Sequence, residues 1–238
     1  MKKENKISFP KKGKNKDHLL AELTALKKKD VNWSSGKSFG YVYYPGEQYA
    51  KTINEAYNLF YHENALNPQL FPSLRKLEAE VVAMVNDLFS SPNKASGCLT
   101  SGGTESILLA LKTARDYAKS VRPLMGDPEI IVPSSAHPAF LKGASYFGLK
   151  AVIVPCKAFV ADVDAIKKKI NKNTIMLIGS APSFPHGIVD PIEALSELAL
   201  NHKLLLHVDS CIGGFMLPFM NKLGYDLPKF DFSLKGMT

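Results

Sequence analysis

The chain reads as an α/β protein built on a mostly parallel sheet covered on both faces, and three observations lead there. Short apolar runs at residues 129–132, 151–154, 174–178 and 203–208 lack the in–out alternation of half-wet antiparallel strands. Between them lie stretches of helical periodicity, 139–146, 164–170 and 192–202, which supply the crossovers that parallel strands require. A glycine-rich loop, Cys98-Leu99-Thr100-Ser101-Gly102-Gly103-Thr104-Glu105-Ser106, runs directly into another helical segment at 107–118.

The rest of the chain fits around that frame. Residues 19–26 read as a short helix, and 33–49, rich in Gly, Ser and Tyr, read as irregular. A second helical segment covers 54–61, and two prolines break it between 64 and 72. Ser73 is expected to cap a long helix in which Leu74, Leu77, Val81, Met84, Val85 and Leu88 mark one apolar face, expected to be core. Three domains are expected: a basic, partly flexible segment at 1–32, a helical N-terminal segment at 33–92, and a large domain at 93–238.

Composition narrows the function classes. Of 238 residues, 45% are hydrophobic and 22% charged, which is enough apolar mass for one large core. The net charge of +8 is concentrated in residues 1–16 and in Lys27, Lys28 and Lys29, and such a run reads first as a solvated tail. Attraction to an anionic membrane surface or a phosphorylated substrate is the sharper alternative. No recognition helix, zinc spacing or aromatic interleaving accompanies the lysines, so nucleic-acid binding is not expected. Cys98, Cys156 and Cys211 are too widely spaced for a metal knuckle or redox pair, so no metal is expected and a reducing cytoplasm fits. No transmembrane segment and no signal-peptide apolar core is seen.

The chemistry is expected at the carboxyl ends of the strands, where ligands of open α/β sheets sit. Residues 134–137, 180–186 and 209–214 all fall there. In the glycine-rich loop, Gly102 and Gly103 let the backbone approach a ligand, Thr104 and Ser106 are candidate caps, and the helix start favours an anion such as phosphate. His137 follows one strand and Asp209 follows another. Together these are the parts that hold an aromatic phosphate cofactor: a phosphate cradle, a flat ring to stack, and a carboxylate to keep a ring nitrogen protonated.

Four motifs in order, TSGGTES (100–106), SSAHPAF (134–140), FPHGIVDP (184–191) and HVDSCIGGF (207–215), with NPQLFPSLRKLEAE (67–80), resemble the pyridoxal-phosphate-dependent group II decarboxylase superfamily. Within it the chain most resembles the sphingosine-1-phosphate lyases, from about residue 33 onward. The resemblance implies a fold type I, PLP-dependent transferase-like large domain preceded by a helical segment, with pyridoxal 5'-phosphate as cofactor. Gly102, Gly103 and Thr104 would hold its phosphate, His137 would stack on the ring, and Asp209 would pair with the ring nitrogen. Cys211 would lie against the opposite face. Tyr43 and Asn64 resemble residues near the substrate channel, and His207 either borders the site or is a strand-end residue satisfied by backbone. His186 faces the same crevice and receives no role. Where this chain has Asn67, the lyases tend to carry a His, and Asn cannot titrate.

The resemblance also implies a cytoplasmic, homodimeric enzyme acting on a small phosphorylated amine or amino acid. The lyase activity would cleave a phosphorylated long-chain base to a fatty aldehyde and phosphoethanolamine; an amino-acid decarboxylase or a non-catalytic dimerising fragment are the alternatives. In the family the Schiff-base lysine stands in a His-Lys pair shortly after the segment matching 230–238. The expectation is therefore that the large domain here is incomplete, that the C-terminal small domain is missing, and that this chain alone is inactive. Lys235 aligns upstream of the catalytic lysine and is not expected to replace it.

Overall fold

The computed structural model describes residues 8–38, 40–91, 95–121, 123–211 and 213–238. The described residues fall into two compact units, divided between Leu59 and Phe60. The first holds α1 (Lys16–Lys27), a 3-10 turn at Trp33–Ser35 and α2 (Glu47–Leu59). The Asn15 side chain accepts from Asp17 N–H at 2.8 Å, so α1 starts earlier than its leucines suggest. Neither α1 nor α2 buries a residue, and Leu19, Leu20, Leu23 and Leu26 are exposed.

The second unit opens with α3 (Pro72–Leu88), and here two expectations are corrected. Phe71, not Ser73, is the N-cap, because Pro72 with its fixed φ occupies the first helical position and needs no N–H there. The apolar stripe is not core: Leu77, Val81 and Met84 are exposed. Hydrogen bonding chose the inward face. Glu78 Oε1 accepts from Leu99 N–H at 2.9 Å and Asn86 Nδ2 donates to Ala95 O at 3.3 Å, which lays the 95–99 segment along the Glu78–Asn86 side of α3.

From there the alternation expected of the sequence is present. The elements are α4 (Gly103–Val121), β1 (Glu129–Pro133), α5 (Ala139–Phe147), β2 (Lys150–Val154), α6 (Val163–Lys169), β3 (Thr174–Ser180), α7 (Ile192–His202), β4 (Leu205–Asp209) and α8 (Leu217–Lys222). The four strands form one parallel sheet in the order β2-β1-β3-β4. β1 and β3 lie inside the sheet and are buried along their whole length, which is why their sequences show no alternation.

Side chains alternate between two cores. Ile130, Val132, Met176 and Ile178 pack with Ile107 and Leu111 of α4 and Phe140 of α5. Ile131, Leu177 and Leu206 pack with Ile166 of α6 and with Ile192 and Leu195 of α7. Residues 217–238, whose placement the sequence pattern does not reveal, join this second core through Leu217 and Phe230. Their end runs beside β4, where Leu206 N–H donates to Thr238 Oγ1 at 3.0 Å. No helix among the described residues is long and apolar enough to cross a membrane.

At the amino ends of the strands Glu129 is 5% exposed, with its carboxylate held by Lys150 Nζ at 2.7 Å and Asn171 Nδ2 at 2.6 Å. Burial pushes this carboxyl up, but the hydrogen bonds from Lys150 and Asn171, with the lysine's charge, outweigh it and hold it below its usual value. A carboxyl depressed on folding stabilises above its unfolded pKa of about 4.3, and the contribution fades as pH falls through the folded value.

Two measurements follow. Leu177→Ala, at a fully buried site, should cost about 2–5 kcal/mol in urea unfolding, whereas Leu66→Ala, 93% exposed, should stay within about 0.5 kcal/mol. Glu129→Gln should destabilise at pH 7 and lose that effect in acid; a penalty undiminished at pH 3 would contradict the role of its charge.

Candidate functional site

At the carboxyl ends of the strands, the loop before α4 is braced from within. Glu105, in the first turn, folds its carboxylate back onto Ser101 and accepts from both the Ser101 N–H and Oγ at 2.6 Å. Those hydrogen bonds hold the carboxyl below its usual value. Thr100 Oγ1 and Ser106 Oγ lie 2.7 Å apart, and Thr100 Oγ1 donates to Gly102 O at 3.1 Å. Glu105 thus braces the loop by taking both donors of Ser101 at once, while neither Thr104 nor Ser106 makes a capping bond to a helix N–H among the described residues. The Thr104 side chain remains exposed at the helix start, where the first backbone N–H groups have no intrahelical acceptor.

Across from this turn lies the end of β4. A Cβ on Gly103 would come 3.2 Å from Cys211 Sγ, so a larger residue there would press on the Cys211 side chain. Asp209, the last residue of β4, is in register with Ser180 of β3, and its carbonyl accepts from Ala181 N–H at 2.8 Å. Its Oδ1 accepts from Cys211 N–H at 3.2 Å, and its Oδ2 has no hydrogen bond among the described residues. Burial, then the charge of Asp209, pushes the Cys211 thiol up.

Two residues earlier on β4, His207 shares the face of Asp209 and meets Phe140 edge-on, with ring centroids 5.4 Å apart. Burial lowers its pKa, and the Asp209 charge opposes without cancelling this. His137 stands between β1 and α5 with its ring exposed; its Nδ1 accepts from Ala139 N–H at 3.1 Å, which puts the ring proton on Nε2.

The structure thus gathers Gly102, Gly103, Thr104, Cys211, Asp209 and His207, and sets His137 at the same end of the sheet. Asn64 lies on the connection before α3, where its Oδ1 accepts from Leu66 N–H at 3.1 Å, and Asn67 makes the equivalent bond to Gln69 N–H at 2.9 Å. Tyr43 belongs to the other compact unit and is 70% exposed. A cavity of about 220 Å³ runs along the outer edge of β4, lined by His207, Val208, Ser210, Phe89, Phe230 and Met237 among others, and none of the residues of the glycine-rich turn lines it. The three cysteines are free, and no cluster of three or more His, Cys, Asp or Glu among the described residues suits a metal ion.

Sequence reasoning missed two residues. Both Glu105 and Asp190 lie inside quoted motifs, TSGGTES and FPHGIVDP, but their residue types alone gave no sign of the roles that their hydrogen bonds reveal.

Residues 1–232 match the pyridoxal-dependent decarboxylase conserved domain. The chain is 51% identical to the sphingosine-1-phosphate lyase of Oryza sativa over 231 residues, covering 93% of this chain and 42% of that protein. It is 38% identical to a probable L-aspartate decarboxylase of Pyrococcus furiosus, covering 97% of this chain and 60% of that one. The solved sphingosine-1-phosphate lyase of Burkholderia pseudomallei superposes with a TM-score of 0.91 at 40% identity, covering 98% of this chain and 55% of that one. The fold is therefore that of the large domain of PLP-dependent enzymes, and the chain spans about half the length of the relatives it matches.

An imidazole depressed on folding favours the native state above its unfolded pKa of about 6.5, and the advantage fades as pH falls below that value. His207→Phe should accordingly flatten the stability profile between pH 7 and pH 5, measured by thermal unfolding; an unchanged slope would mean that the ring is solvated.

Proposed function

This chain belongs to the pyridoxal-dependent decarboxylase family, and from that premise we propose that it forms the cofactor-cradling part of a carbon–carbon lyase acting on phosphorylated long-chain bases. The products would be a fatty aldehyde and phosphoethanolamine. The observation that carries this reading is the convergence of the Gly103 turn, Cys211 and Asp209 on a fold superposing on a solved lyase.

The residues present fit pyridoxal phosphate. The start of α4 offers unpaired N–H donors and an exposed Thr104 hydroxyl to a phosphate, and Glu105, tied to Ser101, keeps its charge occupied. Gly102, Gly103 and Thr104 hold that phosphate in this reading. Asp209 Oδ2 would accept from the protonated ring nitrogen, while Oδ1 accepts from Cys211 N–H and orients the carboxylate. His137 would lie against one ring face and Cys211 against the other, as the family resemblance implies. When bound, the cofactor supplies a sink for the electron pair of the bond broken at the substrate's α-carbon. His207, kept neutral by burial, adds no positive charge to compete for Asp209.

Asn64 is assigned to the substrate channel, and Asn67 would donate a hydrogen bond there without exchanging a proton. The covalent link to the cofactor is not assigned to Lys235, which the family resemblance aligns upstream of the Schiff-base lysine. A homodimer in the cytoplasm completes the reading, supported by the family likeness and by three free cysteines. The Pyrococcus relative favours a second reading, amino-acid decarboxylation, in which a different bond at the α-carbon is broken.

Titration of the purified chain with PLP, followed by absorbance, should give saturable binding that Asp209→Ala and Gly103→Val each weaken by about tenfold to a hundredfold. Borohydride reduction and peptide mapping should label no specific lysine; a specific adduct on Lys235 would make the chain self-sufficient. With the lysine-bearing portion supplied, aldehyde release from sphingosine 1-phosphate supports the lyase, and carbon dioxide from an amino acid without aldehyde overturns it.

A further inference from the structure

We propose that Asp190 is a positioning residue of this site, setting through the end of β3 the backbone that carries Asp209. The proposal deepens the cofactor reading and rests on it for its functional meaning.

Asp190 is a fully buried carboxylate. Its Oδ2 accepts from Ser180 N–H at 2.8 Å and its own N–H donates to Ser180 O at 2.9 Å, so both backbone groups of the last β3 residue are held by one amino acid. Ser180 is the register partner of Asp209, and the next residue, Ala181, donates its N–H to the Asp209 carbonyl at 2.8 Å. Beyond it, Pro182 packs where a Cβ on Gly213 would come within 3.2 Å, which fixes the far side of the Cys211 turn.

The other carboxylate oxygen reaches a different segment. Oδ1 accepts from Ala161 N–H at 2.8 Å, at the exit of the 157–160 turn. In that turn Ala158 and Phe159 sit at φ +47° and +68°, a conformation that costs energy for side chains with a Cβ and persists only when its surroundings impose it. Phe159 stacks on His186 of the 181–189 loop, with centroids 4.2 Å apart and planes at 19°. One carboxylate thus clamps two loops at the carboxyl end of the sheet to each other and to β3. Burial raises its pKa and the two N–H donors counter this, so the anion's acceptors are matched to two donors. Asparagine offers one acceptor oxygen, and its amide would face an N–H, so even this isosteric change breaks the clamp.

A brace that served folding alone would act like Glu129, the buried carboxylate at the opposite end of the same strands. Comparing Asp190→Asn with Glu129→Gln therefore separates the two roles. The readouts are the thermal midpoint, the PLP dissociation constant, and the alkylation rate of Cys211 relative to Cys98 by peptide mass spectrometry. Both variants should lower the midpoint. Only Asp190→Asn should raise the Cys211 rate ratio and weaken PLP binding, each by about tenfold, with Glu129→Gln within about twofold of wild type. Equal behaviour of the two variants in the Cys211 ratio overturns the proposal.

If the wild-type chain does not retain PLP, the cofactor reading fails while the Cys211 ratio still decides the positioning role. Should Asp190→Asn not fold, native-state hydrogen exchange of the wild type decides instead. The amides of Ala161, Ser180 and Ala181 should open together, and an Ala181 amide exchanging independently of Ser180 overturns the proposal.

Discussion

The seven residues of β3, all buried, pair with β1 on one side and β4 on the other, and every functional element hangs from that double ladder. Backbone groups deep in a core must be paired, so the registers Met176 with Ile130 and Met176 with Leu205 are not free to slip. Because a one-residue slip would turn Met176 and Ile178 out of one core and Leu177 out of the other, packing on both faces enforces the same register. Asp209 arrives opposite Ser180 as a direct consequence.

The two ends of the sheet use buried carboxylates differently. At the amino ends Glu129 is matched by Lys150 and Asn171, and joins β1 to the start of β2 and to the turn before β3. At the carboxyl ends no cation among the described residues pairs with Asp190, which is satisfied by backbone N–H donors from two segments. Donors fixed in the backbone define position more tightly than a flexible lysine does, and position is what the carboxyl end has to supply. The glycine-rich turn follows the same rule, with Glu105 spending its charge on Ser101 so that the helix start stays open to an external anion.

Legibility in the sequence tracked how local the cause was. The strand runs and the helices at 139–147 and 192–202 were readable because burial on both faces and helical spacing leave direct marks on composition. Asp209, His137 and the Gly102–Gly103 pair were readable as strand-end and loop residues. The stripe of α3 misled, since periodicity tells that a helix has an apolar face but not which face its own chain will cover. Ser73 misled because Pro72 beside it meets the needs of a helix start without a side-chain cap.

By itself, the sequence determined the fold class, the order of the elements from α4 to β4 and the residue types collected at the carboxyl end of the sheet, since these depend on neighbours within a few positions. Only the tertiary structure decided that Gly103 closes against Cys211, that His207 rests on Phe140, and that Asp190 clamps Ala161 to Ser180. Those contacts join residues from 10 to more than 100 positions apart, and Asp190 to Ser180 shows that even the shortest of them turns back through a loop whose course no periodicity records. Hydrogen bonds between such segments form only once the core has brought them within reach, and so their partners leave no pattern along the chain.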